Sequence, residues 1–182
     1  KEKFFKAIAY ASCATASFVS ILAFIQLQNP NLLLNEPVGN RPGATFGNPT
    51  FFAGYLIVNI LLSFYFVIKS LAPAEKNAEP GRKPFWLDTS FFGIFFVLQT
   101  AALFLSQTRG DILGLGAAAL ILILLLAIRP PEARFRFLRN RAFFIGIFSC
   151  LIAFSFIFWF TRANPFWDKV PGVSRFEDVS FT

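Results

Sequence analysis

The chain has 182 residues, of which 55% are hydrophobic and 15% charged, and its formal net charge is +7. Water-soluble domains carry about 25% charged residues, so this composition excludes a soluble globular protein and indicates a membrane protein. The sequence contains no histidine, which removes the commonest general base and metal ligand. We therefore expect no metal site.

Five apolar stretches, each of about 17 to 21 residues, are long enough to cross ~30 Å of hydrocarbon as helices. In chain order they are residues 7–27, 51–71, 89–105, 112–128 and 142–161. The predicted fold class is therefore an all-α polytopic membrane protein with five transmembrane helices. Residues 162–182 mix charged and aromatic side chains, and we expect them to begin an outer loop.

The first apolar stretch follows the basic sequence KEKFFK and could be taken for a signal peptide. Its small residues, 11–17, are followed by further apolar residues, 18–27. Cleavage after the small residues would divide the apolar run, so we expect an uncleaved helix. Because the chain starts with Lys1 rather than Met, we expect it to be part of a longer protein.

The 17 basic residues are divided unequally between the two sides of this five-span arrangement. Twelve lie on the side of the N-terminus and of the loops near 72–88 and 129–141, and five lie on the other side. Short loops rich in Lys and Arg stay in the cytoplasm. We therefore predict that the N-terminus is inside and the C-terminal tail outside. The positive charge is explained by topology, and no nucleic-acid partner is expected.

The loop before the second span reads RPGATFGNPTFFAGYL, residues 41–56. Asn48 and Pro49 are typical of a helix start, because Asn accepts a backbone N–H as the N-cap and Pro fits the first helical position. Gly47 permits a tight turn before them. Arg41 has no comparable structural explanation, so it is either a solvated loop residue or a ligand for an anion.

The turn between the third and fourth spans reads LSQTRGDILGLG, residues 105–116. It is so short that it must lie at the membrane surface. Thr108 is predicted to cap the fourth helix, whose positive end then lies beside Arg109. Backbone N–H groups, a helix dipole and a guanidinium together suit a phosphate. Gly110 leaves room for a ligand to approach closely.

The same turn also has a purely structural interpretation. Arg109 could pair internally with Asp111. Gly110, Gly114 and Ala118 could then form a small-residue contact with a neighbouring helix. The residues alone leave both interpretations open.

Taken together, the two loops resemble motifs of one family, the bacterial O-antigen ligase and polymerase superfamily. RPGATFGNP is similar to the family's R-x-x-[GA]-T-F-G-N-P segment, and LSQTRGDILGLG to its T-x-[ST]-R-G-x-x-L-G-L segment. FWDKVPGVSRFEDVSFT resembles the start of the family's large outer loop. The order, spacing and outward placement of these segments fit the family. The resemblance covers most of the chain from Arg41 onward.

The resemblance implies a multi-pass glycosyltransferase of the bacterial cytoplasmic (inner) membrane. Such enzymes move a preassembled glycan from undecaprenyl diphosphate to an acceptor at the outer face of that membrane. The acceptor is a glycolipid, another glycan or a protein, and no cofactor is needed. The catalytic histidine of the family lies in the outer loop. We therefore expect no catalytic residue within the chain and no activity of the chain alone.

Arginines at these motif positions are taken to hold the diphosphate in the family, which carries over to Arg41 and Arg109. The neighbouring motif residues are expected to support them: Gly47, Asn48, Thr108 and Gly110. Two departures from the family's commonest residues matter. Ala44 stands where Gly is common, and Asp111 stands where a small residue is common. A carboxylate at 111 could compete with the diphosphate for Arg109.

Two other functions remain open at this point: a lipid-linked glycan translocase or other transporter, and a non-catalytic assembly subunit. Transporters usually place charge at mid-membrane. Here only Asn59, Lys69 and Gln99 interrupt the spans, and Lys69 lies near a span end. Nothing in the sequence excludes the assembly subunit.

Overall fold

A computed structural model of the chain describes residues 2–29, 41–72, 85–131, 133 and 135–161. The regular structure of these residues is helical. The five long helices are α1 (Glu2–Gln28), α2 (Pro49–Ser70), α3 (Phe85–Leu105), α4 (Arg109–Ile128) and α5 (Arg141–Thr161). Two short 3₁₀ turns, at Ala44–Phe46 and Arg136–Arg139, lie in the connections before α2 and before α5.

All five helices are long and apolar enough to cross a membrane, which confirms the predicted all-α polytopic class. The helices begin one to five residues before the predicted spans, because their first turns include polar and capping residues that a hydropathy pattern leaves out. The direction of insertion stays a prediction. The expected outer loop at 162–182 lies outside the described residues.

Helices α1, α2 and α3 form the packed part of the bundle. Its core combines small residues on α1 and α3 with large aliphatic and aromatic side chains of α2. The main members are Ala16, Val19, Ala23, Phe52, Leu56, Ile60, Ala102 and Leu103. Small side chains let helix backbones approach closely, which is how helices gain packing energy in lipid.

Buried polar side chains connect these three helices. Gln99 of α3 donates from Nε2 to the Cys13 carbonyl at 3.1 Å and to Ser17 Oγ at 2.9 Å. Its Oε1 accepts from Ser63 Oγ of α2 at 3.3 Å. Nearer the middle of α2, Asn59 Oδ1 accepts from Ser12 Oγ of α1 at 2.7 Å. Two of the three polar residues that interrupt the spans are therefore engaged in helix-to-helix hydrogen bonds.

Helices α4 and α5 form a hairpin at the side of this three-helix unit. They pack chiefly against each other, and α4 also reaches α2 and α3. Only Ala127 of α4 and Phe144 of α5 are buried. Large apolar side chains on the remaining faces suit contact with lipid. The hairpin matters for function because α4 carries the second of the two loop motifs at its start.

Candidate anion-binding site

The two motif loops meet at one end of the bundle. Arg41 Nε donates a hydrogen bond to the carbonyl oxygen of Ser106 at 2.9 Å, across 65 positions of sequence. The loop before α2 and the turn between α3 and α4 therefore share one side, as the five-span arrangement requires. Nε is one of five N–H donors of the guanidinium, and this bond fixes the orientation of the group.

A cleft of about 360 Å³ opens beside this contact. Its walls come from the two loops and the first turns of α2 and α4: Arg41, Thr50, Gln107, Thr108, Arg109, Gly110 and Asp111. Four of the predicted site residues, Arg41, Thr108, Arg109 and Gly110, thus lie together. The other two, Gly47 and Asn48, do not line the cleft and instead shape the turn beside it.

The loop that carries Arg41 is held to the bundle by Gln26 near the end of α1. Gln26 is buried, and its Oε1 accepts hydrogen bonds from the backbone N–H groups of Gly43 at 3.2 Å and Ala44 at 2.9 Å. A Cβ added to Gly43 would lie 3.1 Å from the backbone nitrogen of Asn48. Such a distance is tight, so a side chain at position 43 would require the backbone of Gly47 and Asn48 to shift.

The Gly-Asn-Pro triplet starts α2, as the sequence predicted. Gly47 has φ 67°, in the left-handed region, where glycine carries no steric cost. Asn48 Oδ1 accepts from the backbone N–H of Thr50 at 2.9 Å, and Pro49 is the first helical residue. These residues act on the cleft indirectly, because they fix where α2 begins and so place Thr50 on its wall.

The prediction that the Thr108 side chain caps α4 by a hydrogen bond was wrong. Thr108 occupies the N-cap position, but its side chain makes no capping bond to the backbone. The hydroxyl is buried and instead shares a 2.9 Å hydrogen bond with Ser106 Oγ, which lies within 2.6 Å of the Leu103 carbonyl. The Thr108 hydroxyl therefore does not occupy the first-turn N–H groups of α4.

The first turn of α4 presents backbone to the cleft. Arg109 is the first helical residue, and Gly110 after it is exposed. A Cβ added to Gly110 would meet nothing within 4 Å. The space that was predicted for close approach of a ligand is present. A helix N-terminus with an adjacent guanidinium favours negative charge at this position.

Asp111 is directed toward α2. Its Oδ1 would lie 3.8 Å from a Cβ added to Gly54, and its side chain forms the wall of the cleft on that side. Gly114, one turn further along α4, lies against Ile57 of α2, whose Cδ1 would be 3.8 Å from an added Cβ. Of the three residues predicted to form a small-residue contact, Gly114 lies beside α2, Ala118 lines an apolar groove with residues of α2, and Gly110 has no neighbour within 4 Å of an added Cβ.

Each loop also contains one strained residue. Ala44 has φ 47° and Gln107 has φ 51°, and within the described ranges they are the only non-glycine residues with positive φ. This conformation costs an L-residue about 1–2 kcal/mol, so the surrounding contacts must maintain it. No local sequence pattern predicts this conformation at Gln107. Ala44 stands where the family commonly has Gly, and its φ supplies a physical reason for Gly there.

An apolar groove of about 580 Å³ lies between α3, α4 and α5, and its lining on α4 begins at Ile112, the residue after Asp111. Its walls are almost entirely hydrocarbon and include Phe104, Ile112, Leu120, Leu151, Phe154 and Phe158. The residues of α4 that line it run from Ile112 to Leu120, which corresponds to about 12 Å along the helix axis. A polar cleft with an apolar groove nearby in the bundle suits an amphiphile with an anionic head.

Comparison of the chain with protein-family models, with curated proteins and with solved structures finds no match. The site is therefore defined here by its geometry, and the family resemblance of its two loops stays a prediction.

Proposed function

We propose that the chain is the membrane domain of an O-antigen ligase-like glycosyltransferase. The enzyme would move a glycan from undecaprenyl diphosphate to a glycolipid, glycan or protein acceptor at the outer face of the bacterial cytoplasmic membrane. One observation carries the proposal. Arg41 and Arg109, the two arginines of the resembling motifs, line the same cleft although they belong to separate loops.

The chemistry of the transfer explains why two arginines are useful. The acceptor hydroxyl attacks the anomeric carbon of the glycan, the bond from that carbon to the diphosphate oxygen breaks, and the diphosphate leaves with the electron pair. Negative charge therefore increases on the phosphate oxygens in the transition state. Donors fixed in advance at that position stabilise it most. Arg41 is fixed by its bond to the Ser106 carbonyl, and Arg109 by its place in the first turn of α4.

The position of the site also suits a lipid-linked donor. The cleft lies at the ends of α3 and α4, where a head group meets the hydrocarbon boundary. The groove between α3, α4 and α5 is lined by α4 residues from Ile112 to Leu120, toward the middle of that helix. In the proposal, the diphosphate lies in the cleft and the first prenyl units lie in the groove. In the proposal, the acceptor hydroxyl gives its proton to a base in the outer loop that the family resemblance implies.

A transporter is the less favoured alternative. Gln99 and Asn59 are polar residues within the spans, and their side chains bond to neighbouring helices. Lys69 lies in the last turn of α2, where its Nζ is 5.6 Å from the centre of the Tyr65 ring. These residues have structural partners, and no observation points to a solute path between them.

Binding of the donor carrier to the purified protein tests the proposal. Native mass spectrometry would compare undecaprenyl diphosphate with undecaprenol, which shares the chain and lacks the phosphates. We expect the protein to bind undecaprenyl diphosphate clearly more tightly than undecaprenol. Arg41→Ala or Arg109→Ala should lower this preference at least about tenfold, the loss expected when a charge-assisted hydrogen bond is removed. Arg129→Ala, at the opposite end of α4, is the control. Equal binding of the two lipids would contradict the proposal.

A further inference from the structure

The connection from α4 to α5 is a second, strongly basic surface. Residues 129–141 include five arginines and one glutamate, a net charge of +4. The 20 residues of α4 correspond to about 30 Å of helix, so this connection and the cleft lie at opposite ends of the bundle. The structure describes 129–131, 133 and 135–141 of it. The surface therefore cannot be part of the cleft.

Two of these arginines lie on one face of a 3₁₀ turn. Arg136 and Arg139 are the first and last residues of the turn. Side chains three residues apart eclipse each other in this geometry, at a rise of about 6 Å. Both residues are exposed. Two guanidinium groups with this spacing can grip one phosphodiester from two sides, and guanidinium is the side chain best suited to bidentate phosphate recognition.

Positive charge continues into the start of α5. Asn140 Oδ1 accepts from the backbone N–H of Ala142 at 3.0 Å, so the helix begins firmly at Arg141. An arginine at this end adds to the positive end of the helix dipole, which is unfavourable, and the first turn of α5 has no acidic residue. Glu132, the single acid of the connection, lies outside the described residues. The described part of the connection has no acidic residue to balance the charge of its arginines, so a bound anion would balance it.

Aromatic rings lie next to these arginines. Phe135 and Phe137 stack with their centroids 5.7 Å apart, and Phe137 meets Phe143 of α5 edge-on at 5.3 Å. The three side chains remain 42%, 51% and 37% exposed. Exposed rings are unfavourable in water and favourable at the boundary between head groups and hydrocarbon. The combination of arginines and rings fits a lipid better than a soluble anion.

We propose that residues 135–141 form a binding site for an anionic phospholipid. Arg136 and Arg139 hold the phosphodiester of the head group, Arg141 adds charge beside it, and the Phe135–Phe137–Phe143 cluster lies against the first carbons of the acyl chains. The site is independent of the proposed transferase function, because it lies at the other end of the molecule and uses none of the cleft residues.

Lipid binding to the purified full chain tests this site. Native mass spectrometry would follow titrations of phosphatidylglycerol and of phosphatidylcholine with identical acyl chains. The test variant is Arg136→Gln with Arg139→Gln. The charge-matched control is Lys69→Gln with Arg129→Gln, two exposed residues near the same end of the bundle. A third variant, Phe137→Ser, keeps every charge. All substituted side chains are exposed, and a melting curve for each variant checks the fold.

We expect phosphatidylglycerol to bind more tightly than phosphatidylcholine. The test variant should lose about tenfold or more in its affinity for phosphatidylglycerol, which is the scale for the loss of arginines next to a membrane surface. The control should lose less than about threefold, and Phe137→Ser should weaken both lipids. Equal binding of the two lipids, an equal loss in test and control variants, or displacement of phosphatidylglycerol by soluble glycerol phosphate at equal concentration would each overturn the proposal.

Discussion

Arg41 and Ser106 join the two loops of the candidate site through one hydrogen bond, from Arg41 Nε to the Ser106 carbonyl at 2.9 Å. Ser106 also keeps its own hydroxyl within hydrogen-bonding distance of Leu103 and Thr108. The arginine is thereby tied to the end of α3 and to the N-cap of α4. A single side chain positions the first motif relative to the second, so changes at Arg41 should affect both the shape of the site and its charge.

Arg41→Lys separates these two effects. Lysine keeps the positive charge but has neither Nε nor the planar fork of the guanidinium. We expect donor affinity to fall by about tenfold and the free energy of unfolding to fall by about 1 kcal/mol, the usual net value of one hydrogen bond. Titration with undecaprenyl diphosphate and thermal unfolding in detergent measure the two quantities. Wild-type affinity in this variant would show that charge alone is enough.

Replacement by alanine should have opposite effects on stability at two glycines of the site. At Gly43 a Cβ would lie 3.1–3.3 Å from the backbone of Gly47 and Asn48, so Gly43→Ala should destabilise the protein by about 1–3 kcal/mol, the range for overpacking. At Gly110 a Cβ meets nothing within 4 Å, and alanine is the better helix former by about 1 kcal/mol.

Gly110→Ala should therefore leave the fold intact or stabilise it, while it weakens donor binding because the methyl group occupies the face that the ligand approaches. Melting temperature and donor affinity, measured for both variants, distinguish a packing glycine from a ligand-access glycine. Unchanged donor affinity in Gly110→Ala would show that the ligand does not approach the first turn of α4.

The fold class followed directly from the sequence, because five long apolar runs leave little freedom in how a chain meets a bilayer. The local chemistry of Gly47, Asn48 and Pro49 was also predictable, since capping depends on adjacent residues. The sequence did not indicate that Gln26 would hold the Arg41 loop from 17 and 18 positions away. Contacts of this kind depend on how the helices pack, which no local pattern records.

The Thr108 hydroxyl illustrates the same limit at short range. Its N-cap position was predictable, but its partner was not, because the buried Ser106 hydroxyl competes with the backbone of α4. The positive φ of Gln107 was equally hidden, since glutamine has no preference for that conformation. In both places the turn bonds back to the last turn of α3, through Gln107 N–H to the Phe104 carbonyl at 3.1 Å and Ser106 Oγ to the Leu103 carbonyl at 2.6 Å. These bonds accompany the departure from local preference.

Membrane orientation is the next prediction. The excess of basic residues on the side of the N-terminus predicts that residue 174 lies outside the cytoplasm. A variant with cysteine only at Ser174, in a background where Cys13 and Cys150 are replaced by alanine, should react with a membrane-impermeant maleimide in intact cells. A cysteine at Ser70, at the end of α2, should react only after the membrane is opened. The reverse pattern would overturn the orientation.

Arg109 and Asp111 provide the sharpest test of the cleft. In the proposed transferase, assayed together with the outer loop that the family resemblance implies, Arg109→Ala should lower the rate by about 10² to 10³. This is the scale seen when one fixed donor to a developing anion is removed. Arg109→Lys should still be clearly impaired, because it loses the bidentate fork. Both variants should reach the membrane in normal amounts if the role of Arg109 is to bind the diphosphate.

Asp111 lines the same cleft with its carboxylate directed toward Gly54 of α2. A carboxylate there opposes the diphosphate, so Asp111→Asn, which removes the charge and keeps the shape, should leave turnover intact or raise donor affinity. If Asp111 and Arg109 instead form a structural unit, Asp111→Asn and Arg109→Ala should both lower the amount of folded protein in the membrane. Normal expression, donor binding and turnover in Arg109→Ala would remove the diphosphate role altogether.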